Sequence, residues 1–341
     1  MERSARRPLG WARDYNSFTM NITRRKFLGT SVAGGATILV GGTSVIFQKA
    51  ALAATPATNP SFSIGGDLSI KRLGYGAMRL TGDGIWGWPP DREGARKVLR
   101  RAVELGVNFI DTADAYGPET NELLIAEALH PYPSGLIIGT KGGNTRPGPN
   151  QWVPNGKPDY LTKCVEGSLK RLKLERIDLY QLHRIDSNVP VEESLGALKK
   201  MQDAGKIRHV GLSEVSVDQI EQAKKVLPIV SIQNQYNIAD RKSEKVLAYC
   251  EKEKLAFIPW APIGGSRNSF AKTGNPLEAE AKRHDASVIQ LALAWLLQKS
   301  PVMVPIPGTS SLKHLEENMA SAKIQLTADE WKKVEELAAG A

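Results

Sequence analysis

The sequence has little cysteine, few aromatics and no long apolar run. Cys164 and Cys250 are the only two thiols in 341 residues, and both fall in segments that read as helix. Two thiols cannot build a disulfide framework, and no Cys/His spacing resembles a zinc site, so no metal is expected. Buried free thiols are the reading, with a single disulfide as the alternative. No segment supplies the ~20 strongly apolar residues of a spanning helix. The chain also lacks finger or helix-turn-helix spacing and any basic stripe interleaved with aromatics, which argues against nucleic acid as a partner. The formal charge of +9 is local in origin. Residues 1–53 hold eight Lys/Arg against two acids, a net +6, which leaves +3 for residues 54–341.

What is present is ordinary for a globular protein: 41% hydrophobic and 24% charged residues. The chain is long enough for one barrel-sized domain. It opens with a leader. Thr23-Arg24-Arg25-Lys26-Phe27-Leu28 has the form of a twin-arginine export motif. A weakly apolar segment, Ser31 to Phe47, and Ala51-Leu52-Ala53, an A-x-A cleavage signature, follow it. This order predicts a signal peptide over 1–53, a linker over 54–61 and a folded region over 62–341. The partner implied is the twin-arginine export machinery, and the destination is the periplasm or cell envelope. An uncleaved leader would be the one membrane attachment, and an unused one would leave the protein cytoplasmic. Met20 stands just ahead of the motif as an alternative start to Met1.

From a short hairpin at Phe62–Ile70 onward, apolar strands alternate with amphipathic helices. Strands are expected at 73–78, 107–111, 136–140, 177–182, 207–212, 229–233, 256–260 and 302–306. Helices are expected at 91–105, 119–130, 159–173, 191–204, 217–227, 241–254, 285–299, 311–321 and 328–338. Asp91 caps the first and Gly106 stops it. Such alternation gives right-handed βαβ units on a parallel sheet, and eight strands close an α/β (β/α)8 TIM barrel. A doubly wound open sheet is the runner-up. It would want a G-x-G-x-x-G turn after the first strand, whereas Gly74-Tyr75-Gly76-Ala77-Met78 continues as strand.

A barrel keeps its chemistry at the C-terminal ends of its strands. Those ends are Asp111, Lys141, His183, Ser213-Glu214, Gln233-Asn234, Trp260 and Gly308-Thr309. Tyr116 lies in the turn after the first of them. Taken singly, each has a bland reading: Asp111 caps a turn, Tyr116 packs, His183 is structural, Ser213 turns the chain and Gln233 pairs with backbone. Taken together they make a site. A phenol titrates near 10 and needs an ammonium nearby to exchange protons at neutral pH. Lys141 supplies that ammonium, a carboxylate at Asp111 keeps it charged, and His183 orients a carbonyl oxygen or joins the proton relay. A site that protonates an oxygen while hydride reaches its carbon is a carbonyl reductase.

On these residues the chain from about Ile70 to Leu337 resembles an aldo-keto reductase. The motifs are IDTADAY with Asp111 and Tyr116, GTKGG with Lys141, and LYQLHR with His183. The resemblance implies that Tyr116 is the general acid, tuned by Lys141 and Asp111, with His183 orienting a small-molecule carbonyl substrate. It also implies nicotinamide contacts at Ser213, Gln233 and Trp260, the last stacking on the ring. Ile306 to Asn318 is similar to the family's adenosine-binding segment, with Gly308, Thr309, Ser310 and His314 along it and Glu317 and Asn318 nearest the adenine. Arg267 either grips the pyrophosphate or is solvated. Two departures stand out. Glu214 replaces the usual amide after the serine, and an ionised carboxylate can only accept hydrogen bonds. Thr309, Ser310 and Ser311 stand where many members carry a base for the 2′-phosphate. NADP(H) is therefore the family default, with NAD(H) as the alternative. Trp86, Trp88 and Trp152, in the loops 81–90 and 144–158, either wall the substrate or peg the loops. A cofactor-binding barrel with a regulatory role and little turnover is the competing function.

Overall fold

Strand residues two apart share a face, and in two of the barrel strands a large apolar residue, Phe109 or Leu179, is followed two positions later by a polar one, Asp111 or Gln181. In the computed structural model, which describes residues 59–264 and 274–339, the hairpin β1 (Ser61–Ile64) and β2 (Leu68–Lys71) comes first. Then come β3 (Tyr75–Gly76), α1 (Arg92–Glu104), β4 (Phe109–Asp111), α2 (Thr120–Leu129) and β5 (Ile137–Gly142). A small hairpin, β6 (Asn144–Thr145) and β7 (Val153–Pro154), precedes α3 (Pro158–Leu172) and β8 (Ile177–Leu182). Next are α4 (Val191–Asp203), β9 (Ile207–Ser213), α5 (Val217–Lys224), β10 (Ile229–Gln233), α6 (Glu244–Glu253) and β11 (Ala256–Phe257). The helices α7 (Glu278–Arg283), α8 (Val288–Lys299), α9 (Leu312–Ala320) and α10 (Ala328–Ala339) complete the described chain.

Seven parallel strands run in the order β3-β4-β5-β8-β9-β10-β11. The eighth position is filled by residues 302–306. Phe257 N donates to Val302 O (2.9 Å), Val304 N to Phe257 O (2.8 Å) and Gly74 N to Pro305 O (2.9 Å), so this segment bonds to both edges and closes the (β/α)8 barrel. It is not a regular strand as expected, because Pro305 has no N–H to give the ladder. Pro259 shortens β11 for the same reason, although Ile258 N and Trp260 N still reach the carbonyls of Ile232 and Asn234. The closure is tight. A Cβ on Gly76 would meet Ile306 O at 2.6 Å, and one on Gly308 would meet Gly76 O at 2.5 Å, so both positions demand glycine.

Helix limits follow local chemistry. Asp91 accepts from Gly94 N (2.8 Å) and Gly106 takes φ +89° just past α1, as expected. Capping boxes at Ser216 and Ser287 set the starts of α5 and α8, the latter three residues later than the apolar pattern suggests. α7 was not expected, since its six residues bury little beyond Glu280 and Ala281. The β6–β7 hairpin was not expected either: its strands are two residues each and show no alternation. Both cysteines are free and buried.

Inside the barrel, Phe109, Ile137, Leu179, Ala256, Ile258, Val304 and Ile306 pack with Ile64, Leu68 and Ile70 of the β1–β2 hairpin. Burying each such aliphatic side chain contributes roughly 1.5–3 kcal/mol. The hairpin thus seals one end with apolar surface, and its Asp67 is tied to Arg208 and His209 of β9 at 2.7 and 2.6 Å. Two residues further along the same strand faces the lining turns polar, and that leaves the other end for chemistry.

Candidate active site

The polar layer is built by the period-2 alternation. Asp111 follows Phe109, Gln181 follows Leu179 and Gln233 follows Ser231, while register places Lys141 beside Gln181. Lys141 is fully buried, and it lies within β5 rather than just past its end as the sequence suggested. Its Nζ donates to Asp111 Oδ1 at 2.6 Å and to Thr112 O at 2.7 Å, and stands 3.5 Å from the Tyr116 hydroxyl. Asp111 Oδ2 accepts from Gln233 Nε2 at 2.8 Å and from Gln181 Nε2 at 3.4 Å. The Tyr116 ring meets the His183 imidazole edge to face, with centroids 5.8 Å apart. The expected four residues, drawn from three strands and one turn, therefore share one site.

Their electrostatics correct one expectation. Burial pushes the Tyr116 phenol above its usual value, and the pull of Lys141 in the other direction is the smaller effect. The net shift is upward, so Tyr116 stays a protonated phenol at neutral pH. Burial alone would strip Lys141 of its proton, but Asp111 and Tyr116 outweigh it and raise the lysine above its usual value. His183 is held well below the usual imidazole range by burial first, then by Lys141, Arg184 and Arg146. It is neutral at physiological pH, and its buried Nδ1 has no hydrogen-bond partner among the described residues.

The motif IDTADAY contains two acids, and they face different ways. Asp111 pairs with the lysine, whereas Asp114 lies beside the Cys164 thiol and is pushed up to about 7 by burial and by Glu122. Glu122, also buried, is occupied by Arg171 at 2.6 Å and by the Thr140 hydroxyl.

Around the four lie the residues expected to hold a cofactor. Ser213 Oγ accepts from Arg184 Nη1 at 3.0 Å, and the same nitrogen donates to His183 O at 2.7 Å. Gln233 gives its amide to Asp111, a bond the sequence did not suggest. Glu214, at φ +57°, accepts from Gln235 N (2.7 Å) and from the Trp260 indole N–H (2.6 Å), so the unusual carboxylate fixes the plane of the tryptophan. Past residues 302–306, Tyr75 donates to Thr309 O at 2.6 Å, and Ser311 caps α9. There Gly308, Thr309 and Glu317 are half-buried, Asn318 is buried, and Ser310 and His314 are exposed. Arg267 lies outside the described residues, as does the leader, residues 1–53.

The three tryptophans separate. Trp152 stands edge to face with Tyr116 (6.1 Å between centroids) and with His183 (5.9 Å). Trp86 is linked to it through Arg146, whose guanidinium lies 3.6 Å from the Trp152 ring centroid and 5.8 Å from that of Trp86. Trp88 is covered by Arg92, 3.7 Å away, at the start of α1. Sequence reasoning missed Gln181, Arg146, Arg184 and Asp114. Of these only Gln181 left a signal, as a polar residue inside the apolar run Leu179–Leu182.

The family model of the Aldo/keto reductase family matches residues 72–339. An uncharacterized oxidoreductase of Schizosaccharomyces pombe is 52% identical over 271 residues, covering 80% of this chain and 88% of the relative. Pyridoxine 4-dehydrogenase of Escherichia coli is 42% identical over 270 residues, covering 77% and 93% respectively. Among solved structures, a thermostable aldo-keto reductase in complex with the inhibitor epalrestat superposes with a TM-score of 0.72 at 30% identity, over 82% of this chain and 99% of that one.

Proposed function

The chain belongs to the aldo/keto reductase family, and from that membership we propose that it reduces aldehydes or ketones to alcohols, reversibly, with Tyr116 as the proton donor. The single observation that carries this assignment is Lys141, buried, 2.6 Å from Asp111 and 3.5 Å from the Tyr116 hydroxyl. The phenol is in the form an acid needs, and the ammonium beside it stabilises the phenolate left after proton transfer. A neutral His183 has an N–H to donate to the carbonyl oxygen, which orients the carbon and polarises the bond. This favours the orienting role over a relay through an imidazolium.

The residues present fit a nicotinamide dinucleotide. Trp260 offers a ring whose plane Glu214 fixes, Ser213 immediately precedes Glu214 at the end of β9, and the loop of Gly308 to Ser311 opens a capped helix whose amides suit phosphate. When bound, the nicotinamide supplies the hydride. NADP(H) is the proposed cofactor, with NAD(H) as the alternative, since hydroxyls rather than bases follow Gly308. The substrate class proposed is a small ring-bearing carbonyl compound of the pyridoxal kind. The 42% identical relative named pyridoxine 4-dehydrogenase and the Trp152 edge beside Tyr116 and His183 support it. No feature of the site favours a regulator without turnover.

Titrating the purified protein with NADPH and NADH side by side, then adding pyridoxal or an aromatic aldehyde, tests the assignment. NADPH is expected to bind about tenfold or more tightly than NADH, a difference of about 1.4 kcal/mol, and to be oxidised when aldehyde is added. Failure to bind either nucleotide would overturn it.

We also propose that residues 1–53 are a twin-arginine signal peptide, followed by a linker over 54–61 and the barrel domain over 62–341. Among the described residues no helix is long and apolar enough to cross a membrane. In a host with that pathway, envelope-fraction protein is expected to begin near Ala54. Exported protein that still begins at Met1 or Met20 would refute cleavage.

A further inference from the structure

We propose that Arg146 is a positioning residue, which locks the two loops over the barrel mouth onto the turn that carries Tyr116. The inference rests on the reading of Tyr116 as the proton donor. Arg146 follows β6 and spreads its donors over separate segments of the chain. Nη1 donates to Ala115 O at 2.6 Å and to Ile85 O at 3.1 Å. Nη2 donates to Gly84 O at 3.0 Å, and Nε closes its own hairpin on Gln151 O at 2.7 Å. Ala115 is the residue before the general acid, so one guanidinium bonds the backbone next to Tyr116, the backbone of the Trp86 loop and the backbone next to Trp152.

The segments it holds are ones the chain would not hold unaided. Ile85 has φ +55°, costly for a β-branched residue, and Asn150 has φ +58°. The same junction is stitched by Gly117 N to Ile85 O (3.2 Å), Gly87 N to Gly117 O (2.8 Å) and Asn150 N to Gly84 O (2.9 Å). The guanidinium also stands over the Trp152 ring, 3.6 Å from its centroid, and that ring meets both Tyr116 and His183 edge to face. Lys141 thus fixes the phenol from the barrel side, and Arg146 fixes its backbone from the loop side. Only a planar fork with five donors serves so many carbonyls at once, and a lysine ammonium keeps the charge but not the geometry.

Arg146→Lys and Arg146→Met in the full chain test this. Five readouts are needed: kcat and KM with an aromatic aldehyde, the same with propanal, NADPH affinity, melting temperature, and acrylamide quenching of tryptophan fluorescence. For Arg146→Lys, KM for the aromatic aldehyde is expected to rise about tenfold or more, the equivalent of one charge-assisted hydrogen bond. Propanal, which needs no ring wall, should be affected less. NADPH affinity should hold within about twofold, since the fork touches no expected cofactor residue, and quenching should increase as Trp86 and Trp152 loosen. Arg146→Lys kinetics and quenching like those of the unsubstituted protein would overturn the proposal. So would an equal loss of NADPH binding and melting temperature in both variants, which would make the role merely structural. If the unsubstituted protein reduced neither aldehyde, the proposed function would fall instead, and the quenching comparison would still decide whether Arg146 holds the loops.

Discussion

Tyr116→Phe is expected to lower kcat for carbonyl reduction by about 10³-fold while NADPH affinity stays within about twofold. The range for loss of a positioned acid is roughly 10²–10⁴. The substitution keeps the ring, and with it the edge-to-face packing against His183 and Trp152 at 5.8 and 6.1 Å. It deletes only the hydroxyl that stands 3.5 Å from Lys141. The ammonium keeps Asp111 and Thr112 O as partners, so folding should be little changed. The pH dependence has a definite sign. Because the phenol is raised above its usual value of about 10, reduction should hold a plateau through neutral pH, whereas alcohol oxidation, which needs the phenolate, should climb toward alkaline pH. Steady-state rates in both directions from pH 6 to 10 check this. A Phe variant as fast as the tyrosine enzyme would end the assignment.

Lys141→Met should be the most damaging single change to stability and activity together. It leaves Asp111, only 2% exposed, with the two glutamine amides and no cation. Breaking a buried pair from one side costs about 3–5 kcal/mol, which for a domain of this size means a fall in melting temperature of about 10 °C. Activity should drop by at least about 10²-fold, because the phenolate loses the charge that stabilises it. Asp111→Asn combined with Lys141→Met removes the stranded carboxylate, so it should regain most of the stability and none of the rate. The linkage follows from direction. Lys141 is raised in the folded state, so its stabilisation is complete below the unfolded value near 10.5 and is lost only as the pH rises through the higher folded value. Melting curves of the single and double variants decide the matter: a Lys141→Met protein that melts with the unsubstituted one would refute the charge-pair argument.

How much of this could be read from the chain divides along physical lines. Periodicity fixes strands and helices because it is a local property, and Ile177–Leu182 and Ile229–Gln233 appear in the structure as read. The four central residues were legible because each terminates an apolar run or sits in the turn after one. Where reading failed, the deciding force was not local. Pro259 and Pro305 look like members of apolar runs, yet a missing N–H interrupts the ladder while hydrogen bonds on either side still close the cylinder. In IDTADAY, Asp111 and Asp114 are equivalent in composition. Only folding gives one a lysine from the next strand and leaves the other beside a thiol, pushed up to about 7 by burial.

The sequence by itself located the eight barrel positions, the polar strand ends and the set of Asp111, Lys141, Tyr116 and His183, since these depend on residue type and spacing along one strand at a time. The tertiary structure alone decided who touches whom. Gln233 reaches Asp111 from 122 positions away, Glu214 turns to Trp260, and Arg146 joins carbonyls up to 62 positions distant. A side chain's partners lie across strands and loops that meet only once the barrel closes. For the same reason burial, which only the closed barrel supplies, reversed the direction in which the phenol was expected to shift.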